Sequence, residues 1–313
     1  MIKVAVIGAG YMAREHIKAF SDIKGVEISG IFSRTIKKAK TLALEYKIIF
    51  VANSIEELYE KTKAEIVVNT VSVSAIYKTS ISCLNFPWIC LIEKPPGYNL
   101  EEALALNNYV KKKKSIVYVA LNRRHYSSTN KALNELQLDK SSRIVKVCDQ
   151  EDLGDPLRIG HPKEVIDNWM YANSIHMIDY FSMFCRGKLT KVTPIVLWNK
   201  NNPKYVASKL QFDSGDIGLY ECFWNSPAPW SVSINTENIR LDMTPLESLT
   251  KQVYESRKKN NIELDKVDYD FKPGIRLQAE LLIKTIKNNK AYLPTLDQAI
   301  DTMKIINLIY FKN

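Results

Sequence analysis

The chain opens on an apolar run, Ile2–Ile7, which breaks at Gly8-Ala9-Gly10-Tyr11-Met12-Ala13 and resumes as apolar residues at helical spacing through Phe20. That pattern predicts a buried strand, a tight turn and a helix. It then recurs. "VEISGIFSR" predicts a second strand, "TIKKAKTLALEYK" a helix and "AEIVVNTV" another buried strand. A helix at about 75–85, the strand "WICLIEKP", a helix at 99–113 and the strand "IVYVALNRR" follow. Continuous apolar strands alternating with amphipathic helices imply a parallel sheet covered on both faces. From about residue 143 the rhythm changes. "SRIVKVCDQ", "KVTPIVLWN", "YVASKLQF", "IGLYECFWN" and "WSVSINTENIRLDM" read as strands joined by short turns, a largely antiparallel sheet. Helices are predicted at 172–184, at 275–288 and near 297–309, and the stretch 251–272, rich in Lys, Asn and Asp, as a surface excursion.

The expected fold is therefore an α/β domain with a parallel sheet over 1–122, followed by an α+β domain with a mostly antiparallel sheet over 123–313. Composition alters this picture little. With 313 residues, 46% of them hydrophobic and 25% charged, the chain has the make-up of an ordinary globular protein. "MIKVAVIGAG" runs straight into a strand, without the charged region, apolar core and cleavage site of a secretion signal, and no segment resembles a membrane span. Cytoplasmic residence is the expectation, with no membrane partner.

Charge raises one question. The chain carries 44 Lys and Arg against 34 Asp and Glu, a formal net charge of +10. The basic residues are dispersed, however, and the runs "KKKK" at 111–114 and "RKK" at 257–259 read as solvated, the first at a helix end where cations suit the dipole. Zinc-finger spacing, an RNP-like strand and an arginine-rich arm are all missing, so nucleic acid is not the expected partner. An anionic small ligand is a better use of local positive potential. The cysteines at 83, 90, 148, 185 and 222 form no CxxC pair and should be free thiols. No metal site is expected.

The first turn carries the strongest chemical signal. A GxGxxA pattern between an initial strand and a helix suits a dinucleotide. Gly8 permits the turn, Gly10 lets backbone approach a pyrophosphate, and small Ala13 lets the helix sit close to the sheet, with helix amides offered to phosphate. Tyr11 and Met12 belong to the same cofactor-binding turn. After the second strand, where an acidic residue would hold the ribose hydroxyls of NAD, the chain has Ser33-Arg34-Thr35, followed by Lys37 and Lys38. Arg34 there suits a 2′-phosphate, which favours NADP, while Ser33 and backbone groups leave NAD open. "EKPP" at 93–96 ends a strand, where such sheets expose ligand-contacting residues. Lys94 at that point makes chemical sense beside a nicotinamide ribose and a substrate hydroxyl.

These motifs, "GAGYMA", "EKP" at 93–95, "NRR" at 122–124, His176-Met177-Ile178-Asp179 and the closing "PTLDQAIDTMKIINLIY", together resemble the Gfo/Idh/MocA family of NAD(P)-dependent oxidoreductases over nearly the whole chain. The resemblance implies that 1–122 is a dinucleotide-binding Rossmann domain and that 123–313 is a C-terminal α+β domain with a large open sheet, its final helices packing back toward the N-terminal domain. It implies hydride transfer between nicotinamide and a sugar, cyclitol or related polyol. It implies that Lys94 orients substrate and cofactor and that His176 is the general acid/base. Asp179 would be a substrate contact or a helix-packing residue, and Arg123 and Arg124 substrate-side groups near the domain junction. Glu93 and Thr70 join Lys94, Ser33, Arg34 and Lys38 on the expected cofactor side. Trp169 and Tyr171, just before the catalytic helix, offer rings for a sugar or base, as do Trp224 and Trp230, with packing as the alternative use. His16 and His161 read as structural or surface residues; His125 reads equally as substrate-facing or packing. The resemblance also implies a homodimer or homotetramer.

Two departures bear on substrate. Family members often carry an aspartate four residues before the histidine and a glycine between them; here the positions are Ala172 and Ser174. On the helix predicted at 172–184, Asn173 points about 100° away from either position. The family's Thr-Pro-Asn turn is Thr70-Val71-Ser72, and Ala75 stands where a histidine is usual. The expected activity is therefore oxidation or reduction of a sugar or nucleotide sugar from an unusual subgroup, in a setting such as bacterial surface-glycan biosynthesis. Imine or biliverdin-type reduction, a redox cycle giving net elimination, and a non-catalytic dinucleotide-binding protein are the alternatives.

Overall fold

In the computed structural model, which describes residues 1–311, the chain forms two compact units: residues 1–122 with 269–300, and residues 123–268 with 301 onward. In unit 1 the chain order is β1 (Ile2–Ile7), α1 (Tyr11–Ser21), β2 (Val26–Phe32), α2 (Ile36–Glu45), β3 (Val51–Ala52), α3 (Ile55–Thr62), β4 (Ile66–Asn69), α4 (Val73–Cys83), β5 (Ile89–Glu93), α5 (Leu100–Lys113) and β6 (Ile116–Ala120). The six strands are all parallel in the order β3-β2-β1-β4-β5-β6. Strand order reverses beside β1, between it and β4. In open α/β sheets that reversal is where a ligand meets the carboxyl ends of the strands.

Local sequence explains the boundaries. α1 buries Ala13, His16, Ile17, Ala19 and Phe20, a stripe three and four residues apart, and packs on the helix Ile275–Asn288. At the start of α5 the Asn99 side chain accepts from the Glu102 amide at 2.8 Å, and the helix closes on Lys111–Lys113 with Lys114 in a left-handed cap. The lysine run is thus a helix end, and Lys111 also meets Asp297 at 3.0 Å. The short pair β3-α3 escapes the sequence reading because β3 has two residues and no periodicity to register.

Unit 2 contains α6 (Ser127–Leu136), β7 (Ile144–Glu151), three short helices α7 (Gly154–Ile159), α8 (Lys163–Ile166) and α9 (Trp169–Ala172), then α10 (Ile175–Phe184). The strands β8 (Leu189–Val196), β9 (Tyr205–Phe212), β10 (Ile217–Trp224), β11 (Ser231–Asn235), β12 (Ile239–Met243), β13 (Thr250–Val253) and β14 (Asn260–Asn261) complete it. The eight-stranded sheet runs β14-β13-β12-β11-β7-β10-β9-β8. Every neighbouring pair is antiparallel except β7 with β10, so the sheet is mixed. "WSVSINTENIRLDM" is two strands, turning at Thr236, whose hydroxyl accepts from the Asn238 and Ile239 amides. The stretch 251–272 is mostly exposed but also supplies β13 and β14 to the sheet edge.

On β7 and β10 alternate residues face a covered side. Val145, Val147, Asp149 and Glu151 are buried, as are Gly218, Tyr220, Cys222 and Trp224. α10 packs there, with Phe181 against Gly218, where an added Cβ would lie 2.8 Å from the ring. All five cysteines are free and buried. Burial pushes the Cys90 thiol up to about 12 and Cys148 to about 11, so these thiols are packing groups at neutral pH.

Candidate functional site

In unit 1 the expected cofactor residues lie at the carboxyl ends of β1, β2, β4 and β5. Gly8 has φ +111, and a Cβ built there would sit 2.4 Å from Thr70 Oγ1 and 2.9 Å from the Thr70 carbonyl oxygen. Thr70 is fixed in return: its amide donates to the Ile7 carbonyl at 2.8 Å and its hydroxyl donates to the same oxygen at 2.9 Å. Gly10 differs. It caps α1 with φ −93, is exposed, and a Cβ built on it would meet nothing within 4 Å. One glycine closes the turn and the next leaves open space above the first amides of α1. Those features fit a dinucleotide pyrophosphate.

Around this turn Tyr11 is 63% exposed, with the Lys272 ammonium 5.3 Å from its ring centre, and Met12 is half-buried. Ser33 accepts the Thr35 amide at 3.2 Å, while Arg34, Lys37 and Lys38 are exposed between β2 and the first turn of α2. Ser33-Arg34-Thr35 contributes no carboxylate there.

Lys94 is half-buried, one residue beyond β5. Glu93, grouped above with the cofactor residues, is turned inward. Its Oε1 lies 2.8 Å from Nε2 of the fully buried His16 on α1, and Oε2 accepts the Lys94 amide at 3.3 Å. The carboxylate therefore braces the strand end that carries Lys94 against the helix that follows the glycine turn. His16 is structural.

In unit 2, His176 is the second residue of α10 and 7% exposed. Asp179, one turn on, accepts two bonds of 2.7 Å from Nε and NH2 of Arg124 and one of 2.7 Å from the Thr302 hydroxyl. This paired geometry uses both carboxylate oxygens and the guanidinium within the fold, the arrangement of a packing ion pair. Arg123 is also buried: NH1 lies 2.8 Å from the Met177 sulfur, and the guanidinium sits 4.5 Å from the Trp230 ring centre. Tyr171, expected as a ring for substrate, is instead a core residue. It is 2% exposed, bonded through its hydroxyl to Asn307 at 3.2 Å and stacked on Phe311. Trp169 stays half-buried beside His161, Trp224 is buried against Trp198, and Trp230 is 36% exposed with its indole N–H on the Gln150 carbonyl at 2.8 Å. Trp230 also lines an open groove of about 330 Å³ with Gln150, Pro229, Pro245 and Glu247.

The helix expected at 172–184 starts later. Ala172 closes α9, Asn173 has φ −122 and ψ −51, and α10 begins at Ile175. Asn173 therefore lies between two helices and not on a helix shared with His176. Its side chain donates to Glu151 Oε2 at 3.0 Å, and the Ser174 hydroxyl donates to Oε1 of the same carboxylate at 2.9 Å. Sequence reasoning did not single out Glu151. Beside it, Asp149 accepts the Tyr220 hydroxyl at 2.9 Å, and that hydroxyl lies 2.9 Å from the Tyr310 hydroxyl. Burial raises the Asp149 carboxyl, opposed by hydrogen bonding from the Tyr220 hydroxyl and the Gln150 amide.

His125 is buried, and desolvation, reinforced by the Arg124 charge, pushes its imidazole down to about 4 from 6.5. Between those values the unfolded chain holds a proton that the folded chain refuses. Stability is therefore complete above pH 6.5 and declines as pH falls toward 4, by on the order of 3 kcal/mol. Exchanging His125 for asparagine should flatten the fall in urea-unfolding free energy across that window; unchanged slopes would assign the acid loss to other groups.

Among the described residues no group of three or more His, Cys, Asp or Glu is placed to hold a metal ion, and no helix is long and apolar enough to cross a membrane. Comparison with known proteins bears on both units. The solved UDP-N-acetylglucosamine 3-dehydrogenase of Acidithiobacillus ferrooxidans matches with a TM-score of 0.80 at 14% identity, covering 99% of this chain and 97% of that one. An aldose-aldose oxidoreductase of Caulobacter crescentus gives 0.85 at 14% identity, with 99% and 97% covered. An oxidoreductase of Agrobacterium radiobacter, solved with NAD+, L-tartaric acid and magnesium, gives 0.78 at 12% identity, with 99% and 96% covered. At these identities the likeness is one of fold. A 4-carboxy-2-hydroxymuconate-6-semialdehyde dehydrogenase of a Sphingobium species is 21% identical over 199 residues, so the match spans 62% of this chain and 62% of that relative. The model of the oxidoreductase family with an NAD-binding Rossmann fold, Gfo/Idh/MocA, matches residues 2–121, the segment that holds the glycine turn, Thr70 and Lys94. Over residues 2–121 the chain therefore carries the NAD-binding Rossmann domain of the Gfo/Idh/MocA oxidoreductase family.

Proposed function

We propose that the protein transfers hydride between a nicotinamide and a hydroxyl- or carbonyl-bearing carbon of a sugar or nucleotide sugar, using NADP in preference to NAD. The observation that carries this reading is the convergence of the Gly8–Gly10 turn, Thr70 and Lys94 on the carboxyl ends of β1, β4 and β5. The sugar class draws support from the relatives named as acting on UDP-N-acetylglucosamine and on aldoses. Surface-glycan biosynthesis is the setting we favour, with the protein working as a homodimer or homotetramer.

The dinucleotide, when bound, supplies the carbon that accepts or gives hydride. Gly8, Gly10, Tyr11 and Met12 would cradle its phosphates, and Ser33, Arg34 and Lys38 the adenosine ribose. His176 takes the hydroxyl proton as the alcohol is oxidised, a role suited to imidazole because its ordinary pKa of about 6.5 lets it gain and lose protons near neutrality. Lys94 places an ammonium where alkoxide charge develops, and Glu93 with His16 holds the strand end from which it projects. Trp169 and Trp230 offer the accessible rings for a substrate, and Arg123 keeps Trp230 in place.

The test begins with mass spectrometry of any retained nucleotide and calorimetric titration with NADP(H) and NAD(H). Free sugars and nucleotide sugars are then screened for stoichiometric production of reduced nicotinamide. Tighter NADP(H) and turnover of a nucleotide sugar are expected; dinucleotide binding with no sugar turnover would sink the substrate class. Exchanging Arg34 for alanine should weaken NADP binding by roughly 10- to 100-fold and leave NAD unaffected, since a charge-assisted hydrogen bond contributes about 1.5–3 kcal/mol. Equal losses for both dinucleotides would mean that Arg34 does not read the 2′-phosphate.

A further inference from the structure

We propose that Glu151 is a positioning residue that fixes His176 from the sheet by holding the two side chains that precede its helix; the inference rests on the reading of His176 as the acid/base. Glu151 ends β7 and is 1% exposed. Its two carboxylate oxygens take the two side chains that immediately precede α10, Asn173 Nδ2 at 3.0 Å and Ser174 Oγ at 2.9 Å. Backbone bonds carry that anchorage onward. The Asn173 carbonyl accepts the amide of His176 itself at 3.2 Å, and the Ser174 carbonyl accepts those of Met177 and Ile178 at 3.0 and 2.9 Å. Glu151 is held in turn, since its carbonyl accepts the Asn225 amide at 2.7 Å and its strand pairs in register with β10 at Trp224.

The chemistry fits this use. A buried carboxylate is acceptor-only and is satisfied by donors, and negative charge beside the first turn of a helix is favourable. The sequence fits it too. Position 174 carries a serine, and it is that serine hydroxyl which Glu151 engages. A glycine there has no donor to offer. Acid and hydroxyl therefore form one unit that sets where the second residue of α10 stands, and a small displacement of a catalytic group slows reaction steeply.

The test uses the full chain with E151Q, S174G, the double variant and H176N, reading kcat, KM, dinucleotide affinity and the ring carbon NMR signal of His176, assigned by its loss in H176N. In E151Q the ring signal should shift or split, kcat should fall roughly 10- to 100-fold, and KM and dinucleotide affinity should hold. S174G should move the same readouts in the same direction, and the double variant should be no worse than E151Q, as expected of two partners in one interaction. Should E151Q not fold, S174G alone decides between these outcomes. A ring signal and kcat unchanged in either variant, with H176N inactive, would overturn this inference alone; melting lowered with kcat intact would do the same. H176N turning over like the parent protein would remove the acid/base reading, and this inference with it.

Discussion

Exchanging His176 for asparagine is expected to slow turnover by roughly 100- to 10,000-fold, the usual contribution of a positioned acid/base, with dinucleotide affinity unchanged. Asparagine can hydrogen-bond in the same space but cannot take a proton at neutral pH. His176 sits at the second position of α10 with a mostly buried ring, so a merely structural histidine would reveal itself in thermal stability and leave kcat alone. Steady-state rates and melting curves of the same preparations separate the two. A variant with full kcat would shift the proton to another group. His125 is a poor candidate for that, because burial pushes it down to about 4 and leaves it uncharged at neutral pH. Lys94 would then be the next residue to exchange.

Much of the candidate site is legible in the sequence because its signals are local. Gly8 through Ala13 sits between a strand and a helix whose periodicities differ, and the boundary between them needs no tertiary knowledge. Lys94 is legible for the same reason, as a cation at the end of an apolar strand. Residues whose role depends on a distant partner are not. Glu93 looks like a ligand-side acid until His16, on another element, is seen bonded to it. Asp179 looks equally suited to substrate until Arg124 and Thr302 close on it. Tyr171 could stack on a sugar in sequence but is covered by Phe311 in the fold. Glu151 carries a signal in its own strand. On "IVKVCDQE" the apolar residues Val145 and Val147 fix the inward face, and a period of two places Asp149 and Glu151 on that face as well. Two carboxylates on the buried side of a strand require donors, and Ser174 and Asn173 are among the donors they find.

The two glycines of the first turn should respond to the same substitution in opposite ways. Gly8 to alanine puts a side chain at φ +111, with its Cβ 2.4 Å from a hydroxyl and 2.9 Å from a carbonyl oxygen of Thr70. The hydroxyl can rotate but the carbonyl is backbone, so β1 and the segment after β4 must separate. Backbone strain of about 1–3 kcal/mol plus that contact should lower the melting temperature by roughly 5–15 °C, and cofactor binding falls with it. Gly10 to alanine meets no such obstacle, since φ is −93 and nothing lies within 4 Å of the new Cβ. Loss of unfolded-chain freedom favours alanine there by about 0.4–1 kcal/mol, and its poorer helix capping costs about as much, so melting should hold. The added methyl nevertheless occupies the space through which a pyrophosphate approaches the α1 amides, and dinucleotide affinity should drop by on the order of tenfold or more. Calorimetric titration and melting of the two variants decide the matter. Gly10 to alanine with undiminished affinity would make the turn a structural one, whereas stable protein with lost affinity marks it as the cradle on which the oxidoreductase reading depends.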